Sequence, residues 1–385
     1  MSKESLIKRQ ETPIRVVCTF VFTLFSFFYL YYFQSDVLTV SQHVFSKGQT
    51  HYDHFVGATL ITLVLLLLQI GVVNICRKVQ MAWAFTFVPS ALCLAALTDV
   101  EPSDVDGMLH FGFGVYLLPI GLIVFGLLVW TAKATGLLQS LSFTVRSTQR
   151  LLWNNLLVLL LCMLFVCTCG NGSKVYHARA HAEQCIMDGR VDEALLAIEN
   201  CGSGDENLTM LTAYALAQKN ALAERLFEFP VKGGSEALTP YAKNMKFELI
   251  ADSVFYSKLG GWYVQRMPTM KYLDYQRRHG RMNSMAIDYL LCGYLLDRNI
   301  DAFAANVTKY YEVNDSVALP KHYKEALVMY THLRSTPRVI YNNNVMNTDF
   351  EDFQKLEKSV ADERERQTAL RDTYGNTYWY YYQYK

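Results

Sequence analysis

Charge is scarce in the first part of this chain. Residues 1–169 hold 10 Lys or Arg and 8 Asp or Glu, against 26 and 27 in residues 170–385. Neither part has the local excess of Lys and Arg that phosphate binding needs, so nucleic acid is set aside as a partner. Cysteines at metal spacing are lacking too. Of the nine, Cys18, Cys76, Cys93, Cys162, Cys167 and Cys169 lie in or against apolar runs, where a thiol behaves as a small hydrophobe. Cys185, Cys201 and Cys292 are an odd set without zinc-type spacing. No catalytic signature stands out, and neither a cofactor nor a metal is expected.

What the sequence does have is apolar length. Runs at 16–33, 55–76, 81–97, 111–131 and 151–169 predict about five spans of a hydrocarbon core ~30 Å thick. The third is short and contains Pro89, so a re-entrant or tilted segment is its alternative. The first run has no small-residue cleavage site after it and is expected to be retained. No Asp, Glu, Lys, Arg or His lies well inside a run, which counts against a transporter or proton relay. Glycines 112, 114, 121 and 126 suit close helix packing. The connections 1–15, 77–80 and 132–150 carry nine Lys or Arg, whereas 34–54 and 98–110 carry only Lys47. Basic residues stay on the cytoplasmic side, so residues 1–15 are expected there and everything after Cys169 outside.

From residue 170 the pattern changes to short amphipathic helices. Val191, Ala194, Leu195 and Ile198 follow the i, i+3, i+4, i+7 spacing of one apolar helix face, and Gly189 marks a bend before them. The stretch GRVDEALLAIE resembles the second helix of a tetratricopeptide repeat. It recurs as KNALAERLFEFP, shifted by 30 residues if Arg190 is matched to Asn220, and more loosely as RNIDAFAANVTKYY. The expected fold class is therefore all-α: a polytopic transmembrane helix bundle (16–169), then a helical-hairpin, TPR-like domain (170–346). A charged helix from Asn347 through Asp372 and a Tyr-rich tail (347–385) complete the chain. Stacked hairpins present a concave face suited to binding a protein or peptide.

Stretches 282–296 (MNSMAIDYLLCGYLL), 319–330 (LPKHYKEALVMY), the terminal YGNTYWYYY and 32–63 resemble the corresponding parts of a family of uncharacterised integral membrane proteins from Bacteroidetes. The resemblance implies a bacterial inner-membrane location with a periplasmic, repeat-like C-terminal region; it supplies no activity, because the family has no assigned function. Two sets of residues remain as candidates. In the first outer connection, Asp36, His51, Asp53 and His54, with His43, offer the imidazoles and carboxylates of a metal or substrate site; the bland reading is an interfacial segment with these groups in headgroups and water. In the tail, Tyr378, Trp379, Tyr380, Tyr381 and Tyr382 suit partner binding, a return to the membrane surface, or capping of the helical domain. Two functions are expected to compete. One is a scaffold for an envelope protein partner, anchored in lipid; the other is a glycosyltransferase-like enzyme of envelope glycan or lipid that uses the outer connection.

Overall fold

The computed structural model describes residues 3–76, 83–103, 108–135, 148–240, 245–261, 267–314 and 319–385. The basic connection 77–80 and most of 132–150 lie outside them. Among the described residues there are eighteen α-helices and a single two-stranded hairpin. The chain divides into two compact units, one ending at Ser173 and the other running from Lys174.

In the first unit, α1 (Lys3–Phe28) continues through a π-helical turn (Tyr29–Phe33), followed by α2 (Ser35–Phe45) and α3 (His54–Cys76). A 3-10 segment (Trp83–Phe87) leads into α4 (Val88–Thr98). The hairpin of β1 (Val100–Pro102) and β2 (Leu109–Phe111) pairs Glu101 with His110. Then come α5 (Gly114–Thr135) and α6 (Thr148–Cys169). Four helical stretches, Thr12–Phe33, His54–Cys76, Gly114–Ala134 and Gln149–Cys169, are long and apolar enough to cross a membrane. Phe20, Leu63, Leu67, Ile123, Leu128 and Leu160 on them are half or more exposed. Such an exterior suits hydrocarbon, where the backbone must satisfy itself and helices do so; this is a membrane protein.

The third apolar run, Trp83–Thr98, falls short of that length. Its contacts nevertheless place it along the whole bundle. At one end the Arg15 guanidinium lies 4.4 Å from the Trp83 ring, and the Ala84 N–H donates to Asn155 Oδ1 at 2.9 Å. Midway, Gln69 Nε2 donates to Thr86 Oγ1 and Ser90 Oγ to the Leu65 carbonyl, at 2.9 and 2.8 Å. At the far end the Asn171 N–H donates to the Thr98 carbonyl at 2.9 Å, beside the Tyr29 hydroxyl. Helix α5 returns from there: Gly114 N–H meets Asp99 Oδ2, and Lys133 Nζ reaches the Ile75 carbonyl at the end of α3. The five segments thus alternate in direction, with Arg15 at one end and Asn171 at the other.

A 16-residue run spans this distance because its first five residues are 3-10, rising ~2.0 Å each rather than ~1.5 Å, for a total of roughly 26 Å. It tolerates that geometry because it is sheathed in protein, not lipid: Ala84, Phe87, Ala91, Leu94 and Ala95 are buried. Irregular backbone at membrane depth survives only under such cover. Its small side chains let neighbours close in. Glycine serves the same end in α5, where a Cβ on Gly121 would meet the Leu92 side chain at 2.8 Å.

The second unit contains α7 (Lys174–Met187), α8 (Val191–Cys201), α9 (Glu206–Gln218), α10 (Leu222–Arg225), α11 (Asp252–Lys258) and α12 (Thr269–Arg278). It continues with α13 (Ser284–Leu296), α14 (Ile300–Tyr310), α15 (Lys321–Leu333), α16 (Asn344–Ser359), α17 (Glu363–Tyr374) and α18 (Tyr378–Tyr384). Five of these helices, α7, α9, α11, α12 and α13, stop in the same way. A residue with positive φ follows each one: Gly189, Asn220, Gly260, Gly280 and Arg298. The next N–H then donates five residues back, as Arg190 does to Cys185, Ala221 to Leu216 and Asn299 to Tyr294. This is the Schellman stop, which satisfies otherwise unpaired carbonyls. It shifts the repeat match by one residue, because Asn220 occupies the place of Gly189, not of Arg190.

The charged helix expected from Asn347 through Asp372 is two helices. Asp362 Oδ1 accepts from the N–H groups of Arg364 and Glu365, both at 3.0 Å, and so caps a new helix start. With Glu365 three residues on, this is a capping-box sequence, which the charge pattern masked.

Candidate functional site

The connection 34–54, expected on the outer side, is built around two helix starts. Asp36 sits in the first turn of α2, where a carboxylate complements the positive end of the helix dipole. Asp53 Oδ1 accepts the Val56 N–H at 2.8 Å, capping α3. His54 Nε2 lies 3.2 Å from Thr39 Oγ1 and ties α3 back to α2. The His43 and His51 rings are 6.2 Å apart. Among the described residues, no group of three or more His, Cys, Asp or Glu is placed to hold a metal ion. The same end of the bundle carries the exposed rings of Tyr32, Phe33, Phe55, Phe111 and Phe113, and Phe45 stacks on Phe111 with centroids 5.1 Å apart. Rings at this level suit a headgroup zone.

His177 and His181 are half-buried on α7, and the His181 ring nitrogen meets Cys185 Sγ at 3.5 Å. Asn171 is 3% exposed, and its amide donates to the Val100 carbonyl at 2.6 Å. It is a structural pin between the end of α6 and the hairpin.

The aromatic tail is inside the second unit. Tyr378, Trp379, Tyr380 and Tyr381 are buried and Tyr382 is partly so. Helix α18 seats against a buried pair on α15. His322 and Glu325 are 0% and 1% exposed; Glu325 Oε2 lies 2.8 Å from His322 Nδ1 and accepts the Tyr378 N–H at 2.7 Å. The Phe227 N–H donates to His322 Nε2 at 3.3 Å, so the imidazole carries its proton on Nδ1 and donates it to the carboxylate. Trp379 Nε1 donates to the Glu325 carbonyl at 2.8 Å, and the Tyr381 hydroxyl to the Leu296 carbonyl at 3.0 Å. Phe227 packs on Tyr378 and Tyr381, and Phe350 on Trp379. The rings join α13, α15, α16 and the turn at Phe227 that follows α10 into one core. Four of them are 0–7% exposed, which leaves little surface for a partner.

Two more carboxyls, Glu183 buried and Asp288 half-buried, escaped the sequence reading. Glu183 on α7 is 0% exposed. Its Oε1 accepts the N–H groups of Leu249 and Ile250 at 2.7 and 3.1 Å, while Arg179 beside it bonds the Lys246 carbonyl and Glu248. Burial pushes the Glu183 carboxyl up to about 7, against the opposing pull of Arg179 and the two backbone N–H groups. Asp288 accepts from the hydroxyls of Tyr311 and Tyr323 at 2.6 and 2.9 Å, and burial raises it as well. Nothing local flags either residue, since their partners lie 23 to 67 positions away.

Residues 265–385 match a family model described as a family of unknown function (DUF6057). The matched stretch, about a third of the chain, contains α15, the aromatic tail and three of the four segments on which the resemblance to uncharacterised membrane proteins rests. No curated protein and no solved structure matches the chain.

Proposed function

We propose that this protein is a scaffold of a bacterial inner membrane, with its second unit on the periplasmic side as a TPR-like binder of an envelope protein, serving in envelope biogenesis. The alternation of the five membrane segments carries the reading. It sends the chain out of the bundle at Asn171, the end opposite Arg15. Basic residues concentrate in the connections on the Arg15 side, which supports a cytoplasmic placement of that side. The hairpins at Gly189, Asn220 and Arg298 support a repeat-like unit. The buried tail makes that unit a pre-organised body, which lowers the entropic cost of binding. Placing Asp53 as a helix cap and tying His54 to Thr39 gives the outer connection a structural task and favours the scaffold over an enzyme.

The test is photo-crosslinking in cells from the full-length protein, with the reactive residue replacing exposed Leu196 or Ile340. Recovery of one defined envelope protein is expected. Recovery of lipid or glycan carriers alone would sink the scaffold and send attention to the outer connection.

A further inference from the structure

We propose that the cleft between the end of α14 and the loop joining α15 to α16 docks an extended segment of a protein partner that alternates acidic and apolar side chains. The inference rests on the scaffold reading and names the chemistry of its partner. The cleft has a volume of about 410 Å³ and is lined by residues of 308–313 together with Arg338 and Val339.

Its walls are fixed before anything binds. Arg334 grips Asp301 with two bonds, at 2.9 and 2.6 Å. The Arg338 N–H donates to the Tyr330 hydroxyl at 3.2 Å, and Tyr341 is buried at 3% exposure. On the opposite wall, Tyr311 is held by its bond to Asp288. Yet this pinned loop holds Ile340 73% exposed, and Val345 just beyond it is 70% exposed. These are the most exposed large hydrophobic side chains described in the second unit. A rigid loop that keeps apolar side chains in water gains by covering them, with little ordering cost.

The charge of the cleft selects the occupant. Lys309 and Arg338 line it with a single acid, Glu312. Arg334 already takes Asp301, and Lys309 Nζ bonds only the neutral amide of Asn306. Among the described residues neither Lys309 nor Arg338 has a carboxylate within ion-pair distance. A partner carboxylate would meet two cations, with Arg338 offering a planar fork that suits it. Side chains two apart on an extended chain lie ~7 Å apart on one face, so acids can reach the cleft while apolar groups on the other face cover Ile340 and Val345.

The experiment uses the full-length protein in non-ionic detergent and two fluorescein-labelled octapeptides, one alternating Asp and Val, the other Lys and Val, read by anisotropy. The acidic peptide is expected to bind at least tenfold more tightly and to weaken with added salt. Lys309→Glu with Arg338→Glu should cost tenfold or more, whereas Arg190→Glu on the α7–α8 turn should not. Equal binding of the two peptides, or full binding to the double variant, would overturn the proposal. If the double variant fails to fold, Arg338→Gln together with the salt titration of the unaltered protein decides. Capture of an envelope protein that persists in the double variant refutes this cleft but leaves the scaffold standing. Acidic-peptide binding without any captured protein refutes the scaffold and leaves the cleft.

Discussion

The two units bury polar groups in opposite ways. Within the spans of the membrane unit, neutral side chains stitch helices together one bond at a time: Ser90 to the Leu65 carbonyl, Asn155 to the Ala84 N–H, Gln69 to Thr86, and a buried carboxylate, Asp99, takes a backbone N–H only at the bundle's end. In the second unit, buried carboxylates collect backbone N–H groups from distant segments, Glu325 from Tyr378 and Glu183 from Leu249 and Ile250. Around them pack large rings such as Tyr214, Tyr289, Tyr323 and Trp379. Lipid tails are as apolar as leucine, so burial between helices gains nothing from solvent there, and fit plus modest hydrogen bonds must suffice. In water the hydrophobic effect supplies the drive, and it can support a costly buried carboxyl as an organiser.

If that contrast holds, a ring lost from the second unit should do the greatest damage, and only there. Trp379→Ala removes a buried ring and the bond to Glu325, at a cost of about 3–5 kcal/mol. Limited trypsin digestion should then open sites within 174–385 while the spans stay protected; equal loss of both units would break the comparison. The second effect is pH-dependent. Glu183 has its folded pKa raised to about 7 from 4.5, so its contribution favours the fold below about 4.5 and is lost as pH rises to about 7. Glu183→Gln keeps the acceptor for Leu249 and Ile250 but removes the titration. The variant should match wild type near pH 4.5 and exceed it at pH 8 by about 1–3 kcal/mol. Melting curves of the second unit across that range check this, and parallel curves would sink it. The smallest effect belongs to the membrane unit, where Ser90→Ala should cost only about 0.6 kcal/mol in detergent unfolding.

Much of the membrane unit was legible because a span announces itself by length. Among the described residues all five runs are helical apart from 111–113, where the hairpin ends, and the doubtful one was doubtful for a physical reason: its brevity is tolerated only under a sheath of other helices, which no local pattern reveals. The helix stops were half legible. Gly189 is the residue expected at a left-handed position, but Asn220 and Arg298 occupy the same conformation without that flag. The cap role of Asp53 was missed, although an acid just before an apolar helix is a cap before it is a ligand.

The tail shows where local reading ends. Six aromatic residues among the last eight positions say that large rings will be buried or bound, but not which. The choice was made by Glu325, 53 positions away from Tyr378, and by Leu295 and Leu296, more than 80 positions from the tyrosines whose hydroxyls they accept. By itself the sequence determined which segments are apolar along their whole length and which on one face, because hydrophobic periodicity is a property of neighbours. The tertiary structure decided that the short run crosses the bundle, that the tail is core, and that Arg338 and Ile340 stay outside, because each depends on groups that meet only when distant segments pack.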